Sequence, residues 1–259
     1  MLLEGSEPRF RTFGGHSLRF LVHGDGSAQR TVVFLHDGLG AIESWKTIPR
    51  EFSTECSVRT LIYDRWGYGG SEARTFFAAG FMEAEVPTLM EIIDATEMGS
   101  VDLVGHSDGA TIALLAAAWH PNRIRSVVSI AAHTFVEAET TKSIEALQDQ
   151  LNTGVTPSWL GRLHGDRGES LLEAWAEVWL GGSHAEWDAR SELSQVACPV
   201  LAVEGDNDGF GSDKQLEVIG QLVPNTEIWR VHGGHAPHHE LGDAFIRRVG
   251  DFWSRTQTT

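Results

Sequence analysis

Three kinds of side chain that can together transfer an acyl group stand at the ends of apolar runs in this 259-residue chain. Ser107 lies in Gly105-His106-Ser107-Asp108-Gly109, Asp206 and Asp208 lie in Gly205-Asp206-Asn207-Asp208-Gly209, and His232, His235, His238 and His239 follow within residues 232–240. A serine hydroxyl is too weak an acid to attack a carbonyl unaided. It needs a histidine to take its proton and a carboxylate to hold that histidine in the right tautomer. The order serine, aspartate, histidine is the one found where the serine sits on a sharp turn between a strand and a helix. Either aspartate could reach a histidine by adjustment of its loop. With 28 glycines in the chain, the pentapeptide around Ser107 carries little weight alone, and its weight comes from its surroundings.

Those surroundings read as strand, turn, helix. Residues 101–104 form a short apolar run, and residues 108–119 are rich in strong helix formers until Pro121 stops them. Buried-strand runs are expected at residues 31–35 and 58–63 and further strands at 124–130, 199–204 and 226–231, after a hairpin of strands at 9–13 and 17–23 turning on Gly14-Gly15. Helices are expected at 41–52, 81–97, around 214–222 and around 242–253. Strands alternating with helices predict an α/β fold with a doubly wound, mostly parallel sheet. Ligands of such sheets bind at the carboxyl ends of the strands, where the serine, aspartate and histidine loops all fall. Residues 134–190 break the alternation. They read as helical and irregular, with no convincing strand, and carry four of the nine tryptophans. Leu171, Trp175, Val178 and Trp179 share one helical face, which packs this insertion onto the sheet.

Composition narrows the function. Acids outnumber Lys and Arg 36 to 20 for a net charge of −16, which disfavours nucleic acid or an anionic membrane as partner. The expected partner is a neutral or cationic small molecule. No run approaches the roughly 18 apolar residues of a membrane span, and the first residues lack the pattern of a secretory signal. A cytoplasmic location is the expectation. Cys56 and Cys198 are far apart and read as reduced core thiols. The histidines lack metal-ligand spacing, so no metal is expected, and nothing in the sequence calls for a cofactor.

Taken together, the chain resembles the α/β-hydrolase superfamily along nearly its whole length. The resemblance rests on five ordered segments: His36-Asp37-Gly38-Leu39-Gly40, the loop Asp64-Arg65-Trp66-Gly67-Tyr68-Gly69, the turn at Ser107, the aspartate loop and Gly234-His235. It implies a core of residues 1–133 and 191–259 with a helical cap at 134–190. It selects Asp208 over Asp206 as the acid and His235 as the base for Ser107. The tetrahedral intermediate needs two backbone N–H donors, which by resemblance belong to Gly38 and Asp108. The usual His-Gly start is here His36-Asp37, and Asp37 is expected to hydrogen-bond within its own loop.

The activity implied is hydrolysis of a carboxylic ester or lactone of a largely apolar small molecule, macrocyclic lactones included, through an acyl-enzyme. Leu39, His133, Trp175 and Trp179 are the expected substrate contacts, although a hydrogen bond supporting the cap is the plainer role for His133. His106 reads as structural, and His232, His238 and His239 as surface or supporting residues. Carbon–carbon bond hydrolysis, cofactor-free oxygenation and a non-catalytic ligand receptor use similar scaffolds and are the rival readings.

Overall fold

A computed structural model describes residues 7–182 and 184–256. The expected division of the chain also includes residues 1–6, 183 and 257–259, which lie outside the described residues. β1 (Arg9–Phe13) and β2 (His16–His23) form an antiparallel hairpin whose turn uses Gly14 and Gly15 at φ 58° and 82°. Six strands follow: β3 (Thr31–Leu35), β4 (Arg59–Tyr63), β5 (Val101–His106), β6 (Ile124–Ile130), β7 (Val200–Gly205) and β8 (Thr226–Val231). The sheet order is β1-β2-β4-β3-β5-β6-β7-β8, with β2 antiparallel to both neighbours and every later pair parallel.

The sheet is covered on both faces because its central strands are apolar on both. All five residues of β3 are buried. Val33 and Leu35 join one core with α2 (Phe81–Ala95) and α3 (Asp108–Trp119). Val32 and Phe34 point the other way, into a second core with α1 (Ile48–Glu55) and, near the chain's end, Phe245, Phe252 and Trp253. Between β6 and β7 the chain makes a helical excursion of α4 (Ala138–Asn152), α5 (Ser158–His164), α6 (Gly168–Leu180) and the short α7 (Arg190–Leu193). A single antiparallel bridge, Phe135 to Asp188, brings the two ends of this excursion together. α8 (Asp213–Leu222), α9 (Pro237–Leu241) and α10 (Asp243–Arg255) complete the chain. Among the described residues no helix is long and apolar enough to cross a membrane.

The expected helix at 41–52 is divided. A 3₁₀ turn covers Ile42–Trp45, the backbone reverses at Lys46 (φ 51°), and α1 starts at Ile48 with Pro49 in its first turn. Pro49 has no N–H to continue a helix through Trp45, and the Ile42 N–H is committed to Asp64 Oδ1 at 2.7 Å. Cys198 is buried as expected, but Cys56 is only half-buried at the end of α1, and both are free thiols.

Candidate active site

Six parallel strands deliver loops to one edge of the sheet, and the turn after β5 carries Ser107. Ser107 adopts φ 53° and ψ −122°, a conformation that costs a non-glycine residue on the order of 1–3 kcal/mol. Its flanking glycines are required by contact. A Cβ on Gly105 would lie 2.3 Å from the Gly109 carbonyl oxygen, and one on Gly109 would lie 2.1 Å from that of Leu35. The turn therefore presses the start of α3 against the ends of β3 and β5, with the Ser107 side chain at the helix N-terminus.

The Ser107 Oγ lies 3.0 Å from His235 Nε2, and His235 Nδ1 lies 2.9 and 2.8 Å from the two carboxylate oxygens of Asp208. A carboxylate only accepts, so Nδ1 carries the proton and the neutral ring presents Nε2 to the serine hydroxyl. Burial alone would raise the Asp208 carboxyl. The His235 hydrogen bond and the Phe210 N–H, 2.7 Å from Oδ1, outweigh it and hold Asp208 below the usual carboxylate range. Asp206 is turned elsewhere, bonded to the exposed His232 at 3.2 Å and to the Gly233 N–H at 3.1 Å.

Ser107 opens into a cavity of about 300 Å³. His133, His235, Gly38 and Leu39 line it from the sheet side. Ile144 and Leu147 of α4, Trp159 of α5, and Trp175 and Trp179 of α6 line it from the helical excursion, with Phe210 at one wall. The indole of Trp175 lies over Gly38, where a Cβ would meet it at 2.7 Å, and its Nε1 donates to Asp108 Oδ2 at 3.0 Å. Trp175 and Trp179 pack in the core and also line this cavity. His133 places Nε2 3.5 Å from Ser107 Oγ, while its Nδ1 has no partner among the described residues. The expected side-chain bond from His133 to the helical excursion is therefore not formed. Its ring instead faces the edge of Trp179 at 5.4 Å, and burial pushes its pKa down to about 3, so it stays neutral.

Residues 30–192 match the alpha/beta hydrolase fold family model. The chain belongs to the α/β-hydrolase family. It is 27% identical over 242 residues to the serine hydrolase BPHL of Mus musculus, covering 88% of this chain and 80% of that protein. It is 31% identical over 147 residues to the 2-hydroxy-6-oxo-2,4-heptadienoate hydrolase of Pseudomonas putida, covering 57% of this chain and 48% of that protein. Among solved structures, the enol-lactonase from Burkholderia xenovorans LB400 superposes with a TM-score of 0.74 at 20% identity, over 95% of this chain and 100% of that one. The protein is a hydrolase of the α/β-hydrolase type.

In this α/β-hydrolase the loop after β4 is tied to the loop after β3 by Asp64. Its buried carboxylate accepts from Arg19 Nε at 2.5 Å, from the Ile42 N–H, and from the Gly70 N–H at 2.7 Å. Gly69 (φ 51°) passes so close that a Cβ there would sit 2.2 Å from Asp64 Oδ2, which accounts for the glycine at that place. Asp37 bonds within its own loop through its backbone carbonyl, which accepts from the Gly40 N–H at 3.2 Å. Its carboxylate packs on Gly40 and faces His106 Nδ1 at 3.7 Å, and His106 Nε2 donates to the His235 carbonyl at 2.8 Å. Both are buried. Burial opposes the charges, but each partner wins, lowering Asp37 and raising His106. His238, expected at the surface or in a supporting place, takes the supporting one, buried between Trp45, His106 and Phe245.

Sequence reasoning missed His164. At the end of α5 its Nδ1 accepts the Gly69 N–H at 2.9 Å and its Nε2 donates to the Leu39 carbonyl at 2.8 Å, joining the excursion to both loops. No sequence signal marks it, since a lone histidine on a seven-residue helix has no spacing partner. Among the described residues no cluster of ligands could hold a metal ion.

Proposed function

We propose that this hydrolase cleaves a carboxylic ester or lactone of a largely apolar small molecule through an acyl-enzyme on Ser107. The observation that carries the reading is the unbroken relay of Asp208, His235 and Ser107, all within 3.0 Å steps, at the floor of an apolar cavity. His235 takes the Ser107 proton as the Oγ–carbon bond forms. The Gly38 and Asp108 amides receive the negative charge that develops on the carbonyl oxygen. His235 then gives the proton to the leaving oxygen as its bond to carbon breaks. Water repeats the sequence on the acyl-enzyme, with His235 again as base, and releases the acid.

Residues 134–190 serve as the cap in this reading, with Leu39, His133, Trp175 and Trp179 contacting substrate. A cavity walled by isoleucine, leucine and three indoles gains most by enclosing an apolar acyl or ring group, whether linear or a macrocyclic lactone. The substrate is the only partner the reading needs, and two free thiols fit a cytoplasmic enzyme.

The test is hydrolysis of p-nitrophenyl esters of increasing acyl length by the wild type and Ser107→Ala at neutral pH. The expected result is turnover that Ser107→Ala lowers by roughly a thousandfold or more. Equal rates in the two proteins would overturn the reading and favour chemistry that does not use the serine.

A further inference from the structure

Arg65 is an expensive residue that the mechanism above does not use. Its side chain is fully buried, and among the described residues Nε and Nη1 have no partner. Among the described residues its guanidinium forms no ion pair within 4 Å. Asp108 and Glu85 act on it only as more distant charges, and the Tyr68 ring lies 4.4 Å from its central carbon. Burying a guanidinium with idle donors costs several kcal/mol, so what it does touch matters. Among the described residues its one side-chain hydrogen bond runs from Nη2 to the backbone carbonyl oxygen of Asp37, at 2.7 Å.

That oxygen is unusually well held. It also accepts from His36 Nδ1 at 2.8 Å and from the Gly40 N–H at 3.2 Å. The His36 bond depends on Arg65 as well. The Arg65 backbone N–H donates to His36 Nε2 at 3.1 Å, so Nε2 is the acceptor and Nδ1 must carry the proton. Burial beside Arg65 keeps His36 neutral, as this arrangement requires. The Asp37 carbonyl belongs to the same peptide unit as the Gly38 N–H. In a planar trans peptide the two point in opposite directions, and among the described residues there is no cis bond. Anchoring the oxygen toward the interior therefore aims the Gly38 N–H the other way. Gly38 lies in the wall of the cavity that holds Ser107.

We infer that Arg65 is a positioning residue for the oxyanion site, holding and polarising the Asp37–Gly38 peptide so that the Gly38 N–H meets the charge developing on the substrate carbonyl. A charged donor on a peptide oxygen draws electron density from its N–H and strengthens it as a donor. The inference rests on the hydrolase reading above, and it predicts that Arg65 acts on the transition state and leaves substrate binding alone.

The experiment compares Arg65→Met and Arg65→Lys with the wild type, after circular dichroism and thermal melting establish folding. Arg65→Met removes an incompletely bonded buried charge and keeps the volume, a change that buried ion sites often tolerate. Removal of one oxyanion donor outright costs about 10²–10³ in kcat, so misaiming one should cost about 10–100-fold with KM within about threefold. Arg65→Lys, which keeps a charge but not the reach, should fall between. A thionoester analogue supplies the readout that simple destabilisation would not move. Its C=S is a poor hydrogen-bond acceptor, so the ester-to-thionoester rate ratio should fall in the variants. Inactivation of Ser107 by a p-nitrophenyl phosphonate, whose P=O occupies the same site, should slow by a similar factor. Wild-type kcat and an unchanged ratio in folded Arg65→Met would overturn the inference alone. If Arg65→Met does not fold, the same result in Arg65→Lys would do so. A wild type that neither turns over ester nor reacts with the phosphonate would overturn the hydrolase reading and this inference with it.

Discussion

Two aspartates two residues apart have opposite fates in the loop after β7. Asp208 is nearly enclosed, with His235 on one side and the Phe210 N–H on the other, whereas Asp206 faces solvent with His232. Asp208→Asn would replace an obligate acceptor of the Nδ1 proton with an amide that can donate, favouring the wrong tautomer of His235. Ester turnover should drop by roughly 10³–10⁴. Asp206→Asn breaks only an exposed contact and should leave kcat/KM within about threefold, so a steady-state comparison of the two variants checks both expectations. The types and spacing of the residues narrow the acid to this pair, but the choice between them depends on where Val231 and Gly205 leave the sheet side by side. The same is true of Asp37. Its type is legible, but its partner His106 stands 69 residues away and is met only through the parallel pairing of β3 with β5.

At the scale of elements, all eight strands fall within a residue or two of the places expected, and the central ones were plainest because a strand buried on both faces leaves a continuous apolar signature. The ends of helices were less legible where side chains from distant loops decide them, as Asp64 does at Ile42. Least legible was the excursion of α4 to α7, whose helices take their orientation from contacts spread over the whole chain. His164 is one such contact. Its replacement by leucine would leave the buried Gly69 N–H and Leu39 carbonyl unpaired, at about 1–3 kcal/mol for each. His164→Leu should therefore shift urea unfolding by roughly 2–4 kcal/mol and also raise KM, since α5 carries Trp159 on the cavity wall. Urea unfolding monitored by tryptophan fluorescence, together with ester kinetics, checks both. A loss of stability with unchanged KM would mean that α5 holds its place without His164.

Across the whole molecule, buried titratable groups set two opposing pH limbs. Burial pushes His133 down to about 3 and His184 down to about 4, the latter in a cage of Trp179, Trp187 and Phe81 with neither ring nitrogen paired among the described residues. In the unfolded chain both return to near 6.5, so below that pH the unfolded state binds more protons and stability falls as pH falls. At pH 5 each contributes a loss on the order of 2 kcal/mol, and His36 and His238 act in the same direction. The charged pair of His106 with Asp37 opposes part of this on the histidine side, because a raised histidine favours the folded state at low pH. Melts at constant ionic strength should therefore show Tm falling by roughly 5–10 °C from pH 7 to pH 5. Glu204 works from the other side. Buried at the end of β7, with Asp208, Asp213 and Glu137 adding negative charge around it, its carboxyl is pushed up to about 8 from the ordinary 4.5. Between those values the folded state holds the extra proton, so stability falls as pH rises toward 8. Glu204→Gln keeps the neutral form's shape and removes that limb. The variant should melt close to the wild type at pH 5 and above it at pH 8, by an amount on the order of 3 kcal/mol. A difference that is constant with pH would mean that Glu204 titrates normally, and that its burial beside three carboxylates is relieved by movement of the loop carrying Asp208.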